Sequence, residues 1–373
     1  MRFMHLADLH LGRVLNNYNL LEDQRYTLNA LVDTVREQKI DTVLIAGDVY
    51  QKSSPPAEAM TLFSDFLYKL NTAGVKVCVI SGNHDSAERV SYLAPFMARD
   101  GIYVTDTFTG KLQTVTLSDA FGPIRIHMLP FIRPANVRPY TDRKIADYTD
   151  AVRAVIDASG IDTSERNILI AHQFVTGAVL SDSEERVVGG LDNVDGSVFE
   201  DFDYVALGHL HTPQKVGRDT VRYSGSLLKN SFSEVNHKKT AVCIDMQEKG
   251  NISYSLVPVP VIRDMREVRM TLNEVLAQPY SEDLVRVVLT DEEVPPDARV
   301  TVTTVFPNLL SFGICNSKTT EETSVDAGEI QQGKTVEELF SDFYAMQKNG
   351  VKPTQAHLEV LRSILDGLED REK

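Results

Sequence analysis

Phe3-Met4-His5-Leu6-Ala7-Asp8-Leu9-His10 closes an apolar run with a carboxylate and an imidazole, and the same device returns further along the chain. Thr42 to Ala46 leads into Gly47-Asp48, Val75 to Ser81 into Gly82-Asn83-His84-Asp85, Asn167 to Ala171 into His172, and Tyr204 to Leu207 into Gly208-His209-Leu210-His211. Each run is near-continuous in Val, Ile, Leu and Ala, the pattern of a strand buried on both faces of a parallel sheet. Leu20 to Gln38 and Pro56 to Thr72 carry helical apolar spacing between the first strands. The order is therefore βαβα, which predicts a parallel sheet covered by helices. Strands that end together deliver the residues after them to one edge, where open α/β sheets hold ligands.

Gathered at that edge are three carboxylates (Asp8, Asp48, Asp85), one amide (Asn83) and five imidazoles (His10, His84, His172, His209, His211), with no thiolate. Hydrolysing a phosphodiester needs a nucleophile made from water at neutral pH and neutralisation of charge on the phosphorane oxygens. Two cations about 3.5–4 Å apart supply both. Oxygen and imidazole donors suit Mn²⁺, Fe or Zn²⁺ rather than a thiolate-held structural zinc. One Asp-x-His is common noise; five such segments, each after a strand, imply a two-metal phosphoesterase.

The order DxH, GD, GNHD, H, GHxH resembles that of the calcineurin-like metallophosphoesterase superfamily. Its SbcD-type nuclease branch is resembled more closely still, by His5-Leu6-Ala7-Asp8-Leu9-His10-Leu11-Gly12 and by the run Tyr223 to Glu234, of the form YSGS…SFSE. That resemblance implies a two-sheet α/β sandwich flanked by helices, a small α+β capping domain and a C-terminal helical tail. It places one metal on Asp8, His10, Asp48 and His211 and the other on Asp48, Asn83, His172 and His209, with Asp48 bridging. Both ions are expected to be Mn²⁺. His84 is implied to contact the scissile phosphate or donate a proton to the leaving oxygen, and Asp85 to hold the His84 ring in one tautomer. The implied activity is exonucleolytic and endonucleolytic cleavage of DNA ends and hairpins. The implied partners are DNA and an SbcC-like ABC-type ATPase, in a heterotetramer built on a homodimer.

The rest of the sequence sets further expectations. The net charge of −15, taken as a whole, opposes a nucleic-acid partner. The acidic groups, however, concentrate in Asp182 to Asp203 and after Gly313, while Arg133, Arg138, Arg143 and Lys144 cluster just after the strand Ile124 to Leu129. This basic run lines a DNA groove or forms a solvated face. Arg89 reaches a substrate phosphate or caps a helix. His5, inside the first strand, reads as a structural residue, and Cys78, Cys243 and Cys315 as reduced thiols without metal-ligand spacing. No secretory signal or membrane-length apolar run is visible, so a cytoplasmic, nucleoid-associated enzyme is expected.

Organisation follows from composition shifts. Leu112 to Leu117 and Ile124 to Leu129 read as strands and Ala146 to Ala158 as a helix. Val221 to Ser224, Thr240 to Asp245 and Ile252 to Leu256 are expected to complete a second sheet. Val257-Pro258-Val259-Pro260 marks a boundary, since consecutive X-Pro units suit an extended connector. Four regions result: 1–260 for the metallophosphoesterase domain, 261–313 for the cap, 314–333 for a polar linker and 334–373 for the tail. Within the cap, Val285 to Thr290 and Arg299 to Phe306 read as strands and Leu272 to Ala277 as a short helix. In the tail, Val336, Leu339, Phe340, Phe343 and Met346, then Leu358, Leu361, Ile364, Leu365 and Leu368, recur at helical spacing. Two amphipathic helices there have apolar faces to bury against each other, the body or a second protein.

Overall fold

A computed structural model describes residues 1–179 and 193–317, and beyond these 340–341, 344–345 and 352–361. The expected linker and most of the expected tail lie outside the described residues. The chain divides into two compact units, Met1–Glu267 with Glu282–Val285, and Val268–Ser281 with Arg286–Lys373.

In the first unit two six-stranded sheets stack face to face. The first is built on parallel strands β1 (Arg2–Leu6), β2 (Thr42–Ala46), β3 (Lys76–Ile80) and β4 (Ile102–Val104). The second contains β5 (Gln113–Asp119), β6 (Gly122–Leu129), β7 (Arg166–His172), β8 (Tyr204–Gly208), β9 (Gln214–Val216) and β10 (Arg218–Tyr223), in the spatial order β9-β10-β8-β7-β6-β5. β11 (Thr240–Met246) and β12 (Ile252–Pro258) correct one expectation. They join the first sheet rather than the second, giving the order β12-β11-β1-β2-β3-β4. β11 lies antiparallel to β1, with Met4 opposite Cys243. Pro258 is tolerated because β12 is an edge strand, where a missing N–H costs no ladder bond.

Alternation along these strands divides the core into three layers. Met4, Leu6, Val43, Ile45, Val77 and Val79 face outward onto α1 (Leu21–Glu37) and α2 (Ala57–Thr72). Phe3, Leu44, Ala46, Cys78 and Ile80 face inward and meet Ile124, Ile126, Ile168, Ile170 and Tyr204 of the other sheet. Leu169, Ala171, Val205 and Leu207 pack outward with α3 (Tyr148–Ser159). The one polar member of the inward row of β1 is His5, whose ring nitrogens face Tyr204 Oη at 3.2 Å and the Leu207 carbonyl at 3.1 Å. Burial pushes its pKa down to about 3, so it is a neutral tie between the sheets.

Register brings the strand ends level. Leu6 pairs with Ile45, Ala46 with Ile80, and Gly208 with His172. The loops carrying the aspartates and histidines therefore leave both sheets at the same end.

The second unit contributes most of a three-stranded sheet, β13 (Met265–Met270), β14 (Leu284–Leu289) and β15 (Leu309–Ile314). Leu272–Leu276 is helical, started by a reciprocal cap between Thr271 and Glu274. The expected strand Arg299 to Phe306 is instead a short helix at Ala298–Val302 followed by turns. Its β-branched residues favour a strand, but Ala298, Val302 and Phe306, at i, i+4 and i+8, are all buried, and this helical face prevails.

Candidate metal centre

Asp8, His10, Asp48, Asn83, His84, His172, His209 and His211 converge where the two sheets' ends meet. The chain reaches this geometry through unusual backbone. Of the eight non-glycine residues with positive φ among the described residues, four are here: Asp8 (53°), His10 (44°), Asp48 (50°) and His209 (105°). The β1 and β2 loops are laced together by Asp8 N donating to Gly47 O (3.1 Å), His10 N to Asp48 O (3.0 Å) and Leu11 N to Val49 O (3.0 Å). The two sheets are tied by His209 N, which donates to both Asp8 carboxylate oxygens at 3.1 and 3.2 Å. Close approach explains the glycines. A Cβ at Gly208 would lie 1.8 Å from the Ala46 carbonyl oxygen, and one at Gly82 2.1 Å from Asp48 Oδ1.

The side chains form overlapping sets whose candidate ligand atoms lie within 4.8 Å of one another: Asp8, His10 and His211; His10, Asp48 and His84; Asp8, Asp48 and His172. His10 Nε2 and His211 Nε2 face each other at 3.0 Å. His172 Nε2 lies 3.0 Å from Asn83 Oδ1 and 3.4 Å from Asp48 Oδ2. His209 Nδ1 lies 3.0 Å from the same Asn83 oxygen.

Whether these residues fit metal ions can be judged from the acceptors. His172 Nδ1 donates to the Ala46 carbonyl at 2.8 Å, so in the neutral ring Nε2 is a lone pair aimed at two oxygens. Three electron-rich atoms at such distances require a proton or a cation among them. The donor set, carboxylate, amide oxygen and imidazole, suits a divalent ion. The titration of the bare residues tells the same story. Burial works against a charged His172, but Asp48 overcomes it and raises the pKa to about 9. Burial chiefly raises Asp8 to about 7, with Asp48 adding to it, while burial pushes His209 down to about 3. Asp48 itself is held below the usual carboxylate range, because His172, His10 and His84 outweigh its burial. The centre thus attracts positive charge.

Around these residues lies a set of supports that the sequence motifs did not assign. His211 Nδ1 faces Glu234 Oε1 at 3.1 Å. Glu234 is fully buried and also accepts from Asn230 N (3.2 Å) and Lys239 Nζ (2.5 Å). Lys239, buried too, donates further to His211 O and Ser226 Oγ, each at 2.8 Å. Glu234 ends the SFSE run, which was its only signal. Phe131 lies parallel to the His209 ring (centroids 6.5 Å apart) and edge-on to His172 (6.2 Å), with nothing in the sequence to mark it.

Asp85 requires a correction. Its carboxylate does not touch the His84 ring. It accepts instead from the backbone N–H groups of Val49 (3.0 Å), Tyr50 (2.9 Å) and Gly82 (2.9 Å), so it fixes the loop carrying Asp48 against the loop carrying Asn83. Burial and Asp48 raise its pKa to about 6. The His84 ring is oriented by the Gln51 carbonyl, 3.2 Å from Nδ1, which leaves Nε2 facing Asp48 Oδ2 at 3.8 Å. Gln51 is in turn held by Arg13 Nη1 at 2.7 Å.

The basic residues separate. Arg143 pairs with Asp157, and Arg138 donates to the Ile145 carbonyl, so both guanidinium groups are used inside their own loop region. Arg89 is exposed at the end of a four-residue helix that Ser86 caps. Arg133 alone is placed beside the centre, its guanidinium 5.5 Å from the Phe131 ring centroid.

Comparison with known proteins agrees with this geometry. Residues 261–348 match the family described as the type 5 capsule protein repressor C-terminal domain. The chain is 28% identical over 381 residues to the SbcD subunit of the nuclease SbcCD from Staphylococcus epidermidis, covering 100% of both chains. A dimetal phosphatase of known structure from Danio rerio is similar at 12% identity with a TM-score of 0.42, over 70% of this chain and 99% of that one. No helix among the described residues is long and apolar enough to cross a membrane. Residues 1–213, which carry every strand end that supplies the centre, match the calcineurin-like phosphoesterase family, and the chain belongs to that family.

Proposed function

We propose that this chain is a Mn²⁺-dependent nuclease that hydrolyses phosphodiester bonds at DNA ends and hairpins, acting with an SbcC-like ABC-type ATPase in repair and recombination. The observation that carries the reading is the convergence of eight donor side chains at one meeting of two sheets, with imidazole nitrogens 3.0 Å apart. In this reading Asp8, His10, Asp48 and His211 hold one ion, and Asp48, Asn83, His172 and His209 the other. When bound, the ions supply a nucleophile from water at neutral pH and neutralise charge on the phosphate.

The protein's own groups do the rest. Asp48 is shared because its two oxygens serve both halves of the site. Asp85 and the His209 amide keep the three loops in register. His84, a fifth exposed while His10 and His172 are buried, faces the open side and contacts the phosphate or donates a proton to the leaving oxygen. The relative's name, which makes it part of SbcCD, supports the pairing with an ATPase. Residues 261–313 act as the cap and 334–373 as the docking tail, within a heterotetramer built on a homodimer.

The test is digestion of linear and hairpin DNA by the isolated chain with and without Mn²⁺, beside a cyclic nucleotide and a phosphopeptide. Metal-dependent cleavage confined to the last two would refute the proposal. Deleting Lys334 to Lys373 should keep metal-dependent cleavage and abolish co-purification with the ATPase.

A further inference from the structure

A cavity of about 400 Å³ opens beside the centre, lined among others by Ser81, Glu88, Phe108, Pro130, Phe131 and Tyr140. Phe131 is the hinge between the two spaces, since its ring also packs on His209 and His172. Phe108 and Tyr140 meet edge to face at 5.6 Å on the far wall, and Tyr140 is 53% exposed. The Tyr140 ring is held there by Gly110, where a Cβ would lie 2.7 Å from the ring. Arg133 leans over Phe131 and makes no ion pair among the described residues.

The lining decides what fits. The only charged side chain on the wall is Glu88, so a phosphate is disfavoured inside. A flat neutral ring system suits three aromatic side chains, and the volume is within the range of small-ligand pockets. Phosphate belongs at the neighbouring centre, one residue away along Ser81-Gly82-Asn83. A ligand with an anionic phosphodiester joined to a planar aromatic group spans both, and a nucleotide has that shape. A base within a duplex cannot enter, because its faces are covered by stacking.

We propose that this cavity is a subsite for an unpaired nucleobase adjoining the phosphodiester to be cleaved, with Phe131, Phe108 and Tyr140 as the stacking surfaces and Arg133 at its mouth. The inference rests on the nuclease reading above and deepens it. It makes fraying or local melting of the end a requirement for cleavage, and it makes recognition tolerant of sequence, since every base has an aromatic face.

The experiment measures binding separately from cleavage. With metal chelated, fluorescence anisotropy compares a labelled hexathymidylate with a hexamer of the same backbone lacking bases. The unmodified chain should favour the base-bearing strand by roughly 5- to 100-fold, the range expected for stacking of one base on aromatic side chains. Tyr140→Ala and Phe108→Ala should each reduce that ratio several-fold, while Tyr140→Trp should retain it. Circular dichroism and Mn²⁺ content confirm that the variants are folded. In the presence of Mn²⁺, the ratio of kcat/KM for thymidine p-nitrophenyl phosphate over methyl p-nitrophenyl phosphate should fall in parallel. A ratio near one in the unmodified chain, or a ratio unmoved by both alanine variants, overturns the subsite while leaving the nuclease reading intact. Failure of the chain to hydrolyse either ester or DNA overturns the nuclease reading, and the subsite with it.

Discussion

Glu234→Gln separates two tasks of one buried carboxylate. Its oxygens receive the His211 ring nitrogen, the Asn230 amide and the Lys239 ammonium, all away from water. Glutamine keeps the volume and can still accept from His211, but it leaves Lys239 as a buried cation without a counter-charge. Removing one partner of a buried pair costs about 3–5 kcal/mol, and this is the expected loss in urea unfolding of the metal-free chain. Loss of a carboxylate behind a ligating imidazole typically weakens metal binding about 10–100-fold, so Mn²⁺ affinity by titration calorimetry should fall within that range. The double variant Glu234→Gln with Lys239→Met distinguishes the effects. Removing both charges should restore much of the stability, since a buried pair is readily replaced by neutral groups of similar size. Metal affinity should stay low, because the His211 ring has not regained its charged partner. If the single variant unfolds at the same urea concentration and binds Mn²⁺ as tightly, the carboxylate merely fills space and the reasoning fails.

Other substitutions probe the centre and its surroundings. His84→Ala should retain two metals and lose about 10²–10³ in kcat, the usual cost of one transition-state contact, whereas Asp48→Ala should lose both ions by elemental analysis. Arg143→Glu should change stability by less than about 1 kcal/mol, as its pair with Asp157 is solvent-exposed; Arg133→Glu should weaken DNA binding and flatten its salt dependence. Asp119 is held below the usual carboxylate range chiefly by its bonds to Arg166. A carboxylate with a depressed pKa contributes stability above its unfolded pKa of about 3.9 and loses it as pH falls further, so Asp119→Asn should lower stability at pH 7 and flatten the loss below pH 4.

The parallel strands were legible because both faces of each are buried, and a strand in that position has little choice but Val, Ile, Leu and Ala. β2 was placed to the residue, and α1 and α2 to within one residue at each end. The sheet to which β11 and β12 belong was not legible. Alternation in Thr240 to Met246 states which residues point inward, and both sheets offer an inward face to the same core. What selects the first sheet is pairing with β1, some 240 residues earlier. The donor residues were visible because Asp and His directly after an apolar run have no structural use there. Asp85 was misread for a related reason. It follows His84 in sequence, yet consecutive side chains in a tight loop point apart, and the Asp85 carboxylate turns back to three backbone amides. Phe131 could not be found at all, since an aromatic residue after a strand is ordinary until its neighbours are known.

The backbone of the centre explains why so much of the motif is glycine and why the aspartates and histidines stand where they do. A non-glycine residue in the left-handed region costs about 1–2 kcal/mol, and Asp8, His10, Asp48 and His209 each bear that cost. Nothing in an apolar core would offset it locally. The offsets are the hydrogen bonds that this turn geometry makes available: Asp8 N to Gly47 O, His10 N to Asp48 O, and the His209 amide to the Asp8 carboxylate. Those bonds run between loops from different strands and, in the last case, between sheets. The strain therefore persists only while both sheets are packed, and the donor atoms converge only under the same condition. Gly208 and Gly82 belong to this logic, since any side chain there would drive the Ala46 strand end or Asp48 outward. Sheet packing, loop strain and the grouping of ligands are thus one cooperative arrangement, and a substitution that loosens the sandwich at this end should disturb metal binding before it unfolds the chain.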